Sequence, residues 1–276
     1  MQSRLRILGV IIAVMGVIAL LGGAYGYIRS QDGTKSLQGF SEAQNVTLSY
    51  NDQGQLTSRG SPERATTILA LLSDSWKWPV NKGDLNPNDK LVNTGTEYMF
   101  QMATIAYDIL TGTQSVTLPE RVEYNGDGQE GIAADAKVYS PATLPGGAWD
   151  PAVEGTDKDA IFEAGTYAVP VNGRYFTGFN RLHPLDGKAR DQAWSGLAHG
   201  LFAELGVGAT TASVLELATM VALLVLGFGI IFLVAGLGLV WAAWPKKAEA
   251  SALVHRHAEG QTVAVTLAAQ GDPGSP

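Results

Sequence analysis

Hydrophobic and polar positions divide this chain into two long oily runs and a mixed middle. From Leu217 to Trp244 no residue is charged, and the run closes with "GFGIIFLVAGLGLVWAAWPKK". An α-helix rises about 1.5 Å per residue, so about 20 apolar residues cross a hydrocarbon core and this segment is long enough to span one. Trp241 and Trp244 suit a headgroup belt, Pro245 discourages further helix, and Lys246 and Lys247 mark an aqueous exit. A second uncharged run, "ILGVIIAVMGVIALLGGAYGYI", lies between Arg6 and Arg29 with Tyr25 and Tyr27 at its far end. It exceeds the core of a secretory signal peptide and no A-x-A site follows it, so it reads as an uncleaved anchor.

Small residues recur at a fixed interval in both runs. Gly9, Gly16 and Gly23 repeat every seven residues in the first, and Ala222, Gly229, Gly236 and Ala243 do so in the second. Seven residues return a helix to nearly the same face. Each span therefore carries a stripe along which another backbone can approach closely. The expectation is that the spans pack on each other or on copies of themselves.

Basic residues near spans favour the cytoplasm. Arg4 and Arg6 precede the first span and Lys246, Lys247 and Arg256 follow the second, while Arg29 and Lys35 oppose this orientation. Both termini are thus expected in the cytoplasm and the helices antiparallel. The expected fold is an α+β extracytoplasmic domain between two transmembrane α-helices that form an antiparallel hairpin in the plasma membrane. Its parts are a cytoplasmic N-terminus (1–6), a first span (7–28), the outer domain (29–213), a second span (214–244) and a disordered cytoplasmic tail (245–276).

Within the middle, Val46 to Tyr50 alternates as a short strand. Ser61 is a helix cap followed by Pro62 and Glu63, opening a helix that runs to about Asp74. Residues 76–93 are loop by their Pro, Gly and Asn content. A second helix opens at Thr94 or Thr96 and stops before Gly112, with Glu97, Gln101, Thr104 and Asp108 as one narrow polar stripe. Nearly all its other positions are apolar, which predicts the centre of the core. Strands are predicted near Val116–Leu118 and Val122–Tyr124. Asn172-Gly173 predicts a hairpin that places Pro170 opposite Tyr175. Residues 125–160 hold seven acids and two lysines and read as a mobile surface insertion. A last outer helix is expected from about Asp186 to Leu205, coupling the domain mechanically to the second span.

Charge and composition then narrow the chemistry. The net charge is −7, and residues 29–213 carry 14 Lys and Arg against 22 Asp and Glu. Such a surface argues against nucleic acid, whose binding needs cationic neutralisation of phosphates. There is no cysteine, which excludes a disulfide framework, thiolate zinc sites, iron–sulfur clusters and thiol catalysis.

Few residue constellations suggest a reaction. Asp191, Ser195 and His199 are spaced by four, but a triad needs His between Ser and the acid, whereas here Ser is central. His183 and His199, with Asp186 or Glu204, are weak candidates for a metal site, although His183 beside Pro184 more simply orders a loop. Asp84, Asn86 and Asn88 begin as a calcium loop does, but its sixth position is Asp89 and its twelfth is Gly95, which favours a plain turn. His255 and His257 read as solvated tail residues. The Met and aromatic content of the central helix (Tyr98, Met99, Phe100, Met102, Tyr107) reads as core packing before pocket lining.

No cofactor is implied. The chain is expected to be a noncatalytic accessory or scaffolding protein. Its expected partners are the lipid bilayer and either another membrane or extracytoplasmic protein or a second copy of itself. An extracytoplasmic ligand sensor and a metal-dependent enzyme using His183 and His199 are the alternatives.

Overall fold

A computed structural model describes residues 2–126 and 131–244. The expectations for Pro245, Lys246, Lys247, the tail and its two histidines lie outside the described residues. The chain forms two compact units, residues 2–31 with 217–244 and residues 32–216.

The first unit is a pair of helical segments, belonging to α1 (Gln2–Ala43) and α6 (Gly196–Ala242). Both helices are long and apolar enough to cross a membrane. Ile7, Ile18 and Leu21 on one and Ile231, Val234 and Trp241 on the other are exposed. A water-soluble protein rarely leaves so much contiguous apolar surface uncovered. Between the segments the small residues meet. A Cβ on Gly9 would fall 2.8 Å from Gly236 O, one on Gly16 2.5 Å from Leu233 N, and one on Gly23 3.0 Å from Ala222 O. A Cβ on Gly229 would fall 2.8 Å from Leu20 N, and one on Gly236 2.6 Å from Gly9 O. Numbers rise on one helix as they fall on the other, so the pair is antiparallel. The stripe extends one step further at Ser30, whose Oγ accepts from Thr219 Oγ1 at 2.9 Å and donates to Tyr27 O at 2.8 Å. At the other end Arg6 Nε donates to Ala243 O at 3.0 Å and its guanidinium lies 5.0 Å from the Trp244 ring. A cation there meets the negative end of α6.

The second unit mixes helices with small sheets. The other helices are α2 (Pro62–Ala70), α3 (Gly95–Leu110), α4 (Pro151–Glu154) and α5 (Asp186–Ala193). Strands β1 (Ser49–Tyr50) and β2 (Leu56–Thr57) form one antiparallel pair, and β3 (Thr113–Leu118) with β7 (Gly165–Pro170) forms another. The third sheet has the order β4 (Val122–Tyr124), β6 (Ala160–Phe162), β5 (Lys137–Tyr139), antiparallel then parallel.

Local chemistry explains these elements. Ser61 Oγ accepts from Arg64 N at 3.0 Å and caps α2, which passes into a π-turn at Leu71–Ser75 and buries Leu72. Thr94 caps α3 through a reciprocal capping box with Glu97. Glu97 thereby leaves the expected polar stripe: its carboxylate also accepts from Asn93 N at 2.9 Å and is buried, which raises its pKa. Asp108, at the other end of that stripe, pairs with Arg59 and Arg64. α3 serves two clusters. Tyr98, Phe100 and Ala103 pack with Ile68, Leu72 and Ala209, while Ala106 and Leu110 join the strands and α5.

Three expectations are corrected. First, residues 131–160 of the acidic stretch are not surface throughout: most are exposed or half-buried, but the stretch supplies β5, and Trp149 is completely buried among Tyr139, Phe162 and His183. Burial of one large aromatic ring outweighs the polarity of its neighbours. Second, Asn172 (φ 53°) and Gly173 (φ 73°) make the turn, with Arg174 N donating to Val171 O at 3.1 Å, but no hairpin follows. β7 is already paired with β3, Pro170 lies opposite Thr113, and Gly173 N donates to Leu110 O. Third, the helix expected from Asp186 to Leu205 is two. α5 stops at Ala193 because Trp194 (φ −102°, ψ 55°) turns into the core and donates Nε1 to Arg174 O at 3.2 Å. The next helix then opens on Ser195-Gly196 and continues unbroken to Ala242.

Candidate functional site

Of the histidines and acids read from sequence, His183 and Asp186 are engaged in holding the fold, while His199 and Glu204 are exposed on α6. His183 is buried, stacked on Trp149 with ring centres 4.4 Å apart and edge-on to Tyr124 and Phe162. Its Nδ1 accepts from Leu185 N at 3.2 Å and Asp186 N at 3.1 Å, so it caps the start of α5. A ring nitrogen that accepts two N–H bonds is an unprotonated one, and its lone pair is not free for a metal. Burial, then the nearby Arg174 charge, pushes the pKa of His183 down to about 3. Beside it Asp186 is completely buried, accepting from Arg174 Nη1 at 2.6 Å and Asn180 N at 2.7 Å. Asn180 Nδ2 then donates to Tyr124 OH at 2.9 Å and Thr156 O at 2.8 Å.

His199 is exposed on the first turn of α6, against Phe176 and Trp194. Ser195 caps that turn, accepting from Ala198 N at 3.3 Å, and Asp191 lies before the break, bonded to Arg190 at 2.6 Å. The three are therefore spread over two helices and a cap. Among the described residues no three His, Asp or Glu side chains gather where an ion would be held. The Asp84–Asp89 loop spends its oxygens internally: Asp84 Oδ1 accepts from Asn81 Nδ2, Asn86 Oδ1 from Asn88 N and Asp89 Oδ1 from Leu91 N.

Three cavities among the described residues lie within 32–216, one of them an apolar hollow of about 410 Å³ beside Leu71, Tyr107 and Leu110; the other two touch candidate residues. One, of about 440 Å³, is polar and touches His183 and Trp149. Within it Glu154 Oε2 accepts from Lys137 Nζ at 2.6 Å and Tyr139 OH at 2.8 Å, and Asp159 accepts from Gly126 N and Ala133 N. Accordingly Glu154 is held below the usual carboxylate range by these hydrogen bonds.

The other is an apolar groove of about 860 Å³ between α1, α3 and α6. Leu37 and Phe40 line it from α1, Tyr98 and Ile105 from α3, and Leu205 and Val207 from α6. The helices are held at this spacing by small contacts. Tyr98 OH shares a 2.7 Å hydrogen bond with Ser41 Oγ, and its ring lies so close to Gly208 that a Cβ there would fall 2.5 Å from it. Phe40 and Val207 remain exposed, 50% and 66%. Among the described residues lining the groove none is basic and Glu204 is the one acid. Sequence reading missed this site because it ended the first helix at residue 28 and assigned no element to "RSQDGTKSLQGFSEA", residues 29–43, which are helix throughout. The available signal was Ser30, which continues the seven-residue interval of Gly9, Gly16 and Gly23 past the oily run.

No family model, curated protein or solved structure matches this chain.

Proposed function

We propose that this chain is a noncatalytic accessory protein of the plasma membrane that works by binding. Two antiparallel spans anchor it, both termini are cytoplasmic, and the domain between them is extracytoplasmic. The binding face is the groove between α1, α3 and α6, and that groove is the observation that carries the reading. It combines volume, apolar lining and exposed rings, and it lacks acid–base or nucleophilic groups poised for a reaction. The test is purification of the full-length protein from its membranes in mild detergent, with a photoreactive residue in place of Phe40 or Val207. A reproducible adduct at these two positions supports the reading, and silence at both overturns it.

A ligand-sensing role is the second reading. One observation favours it: α6 carries groove-lining residues Leu201 to Leu215 and the apolar segment 217–242 as a single unbroken helix. Ligand-dependent thermal stabilisation of the full-length protein would support that role.

A further inference from the structure

We infer that the polar cavity beside His183 binds a small zwitterion of the amino-acid class, with its carboxylate on the imidazole N–H and its ammonium on the carboxylates that line the cavity. The site shares no lining residue with the groove and stands apart from it. His183 gives the cavity a direction. The residue is 2% exposed, and its Nδ1 is occupied by the N–H groups of Leu185 and Asp186. A neutral imidazole whose Nδ1 accepts carries its proton on Nε2, and that N–H can only donate. Among the described residues nothing accepts from it. Trp149 Nε1, on the ring stacked against His183, is also unpaired but is sealed from accessible space. His183 Nε2 is not sealed, and the accessible space at His183 is this cavity. A buried donor without an acceptor is costly, and the cavity is where an acceptor can be supplied.

The rest of the lining selects the class. Lys137 and Glu154 pair with each other, and Asp159 accepts from two backbone N–H groups. Asp135, Asp157 and Lys158 also line the cavity, are exposed, and have no hydrogen-bond or ion-pair partner for their side chains among the described residues. The two acids attract a cation, whereas Lys158 and the His183 N–H take an anionic oxygen. These demands are separated in space. Apart from burial, the charge that acts on His183 is that of Arg174 and not of the carboxylates lining the cavity. A ligand lying across the cavity therefore meets a donor at one end and carboxylates at the other. Four acids against two lysines repel a simple anion. An amine alone leaves His183 and Lys158 unanswered, and a neutral polyol gains nothing from the charges. A zwitterion answers both ends. The volume, about 440 Å³, is that of a small-molecule pocket, and Val153 and Tyr139 add apolar surface for the ligand's carbon atoms.

The experiment takes the full-length protein in mild detergent, labels its four histidines with nitrogen-15, and titrates it with each common amino acid. Those that bind are compared with their methyl esters and N-acetyl forms, and His183→Gln assigns the His183 signal. The expected result is at least one amino acid that binds with a Kd below about 1 mM and moves the His183 Nε2–H resonance. The ester, which lacks the negative charge, and the N-acetyl form, which lacks the positive one, each bind about tenfold more weakly. Val153→Trp, at a lining position that is 76% exposed, narrows the cavity and lowers affinity about tenfold, with thermal unfolding of the free protein unchanged. The double variant Asp135→Asn, Asp157→Asn weakens the amino acid and its ester but not the N-acetyl form. No amino acid bound at about 10 mM, a derivative bound as tightly as its parent, or an affinity indifferent to Val153→Trp overturns the inference. A proton found on His183 Nδ1 overturns it as well. So does an Nε2–H resonance that moves with glucose or inorganic phosphate and with no amino acid, which would make the ligand a polyol or an anion.

Discussion

In the paired apolar segments, contact is made by what is missing. Gly9, Gly16, Gly229 and Gly236 leave room for a facing backbone, and no buried ion pair joins the two helices there among the described residues. In residues 32–216 contact is made by large, chemically specific groups: Trp149 on His183, Arg174 on Asp186, Asn180 on Tyr124. The difference follows from the solvent each surface suits. Apolar lipid gives leucine no reason to seek leucine, so close van der Waals approach must hold helices together. Water drives aromatic rings inward, and once inside, their polar neighbours need partners. Substitutions should therefore act by opposite rules in the two units: added volume harms the first, lost groups harm the second.

The largest effect belongs to the buried pair. Asp186→Ala leaves the Arg174 guanidinium uncompensated and removes the acceptor of Asn180 N. Breaking such a pair from one side costs about 3–5 kcal/mol. Thermal unfolding of the full-length protein in detergent should show the loss. A loss below about 1 kcal/mol would mean that water reaches Arg174 readily and that residues 32–216 are not held by specific polar contacts.

Next comes acid. A histidine with a pKa near 6.5 unfolded and about 3 folded binds its proton preferentially in the unfolded chain between those values. Stability contributed by neutral His183 is thus complete above pH 6.5 and falls as pH drops toward 3, by up to about 1.4 kcal/mol per pH unit. Glu97 acts oppositely, since burial raises its pKa, so the difference between wild type and His183→Gln isolates the histidine. The variant should be less stable at neutral pH and should lose most of that deficit on acidification. Parallel stability curves would break the assignment of His183 as a neutral helix cap.

The paired apolar segments supply a matched pair of substitutions. Gly16→Val drives a side chain into Leu233 and Gly229, whereas Gly22 has nothing within 4 Å of its added Cβ. Overpacking costs about 1–3 kcal/mol, and the exposed glycine should tolerate valine within about 0.5 kcal/mol. Unfolding in mild detergent distinguishes them. Equal effects would show that the glycines matter for backbone freedom and not for approach. Equal tolerance would show that the two segments do not need each other.

What sequence could convey differs between the units for the same physical reason. The oily runs announce themselves by composition, and the seven-residue interval points to the face that carries Gly9 and Gly236. The cap at Ser61 was equally legible and that of α3 was narrowed to Thr94 or Thr96, because caps depend on residues close in sequence. Trp149 was not, since a buried tryptophan in an acidic, Pro- and Gly-rich stretch looks like surface until β5 and β6 pair around it. The groove was legible only in part: Tyr98 belonged to a recognisably buried helix, but Phe40 sat in a polar, glycine-containing stretch to which no element had been assigned. His183 was visible as a candidate ligand and as a residue ordering a loop, and only the bonds from Leu185 N and Asp186 N distinguish the two roles.

The smallest effect tests whether Ser195 caps a helix or serves a reaction with its neighbours at four-residue spacing. Ser195 accepts from Ala198 N, the first turn of a helix that then runs through the groove wall to Ala242, so Ser195→Ala should cost about 1 kcal/mol. Asp191 is exposed and bonded only to the neighbouring Arg190 side chain among its side-chain contacts described here, so Asp191→Ala should fall within about 0.5 kcal/mol of wild type. A cap and a surface ion pair are independent, so the double variant should equal the sum of the single ones. Non-additivity between these two positions would instead mean that the acid and the hydroxyl act on each other, and the break at Trp194 would no longer separate them functionally.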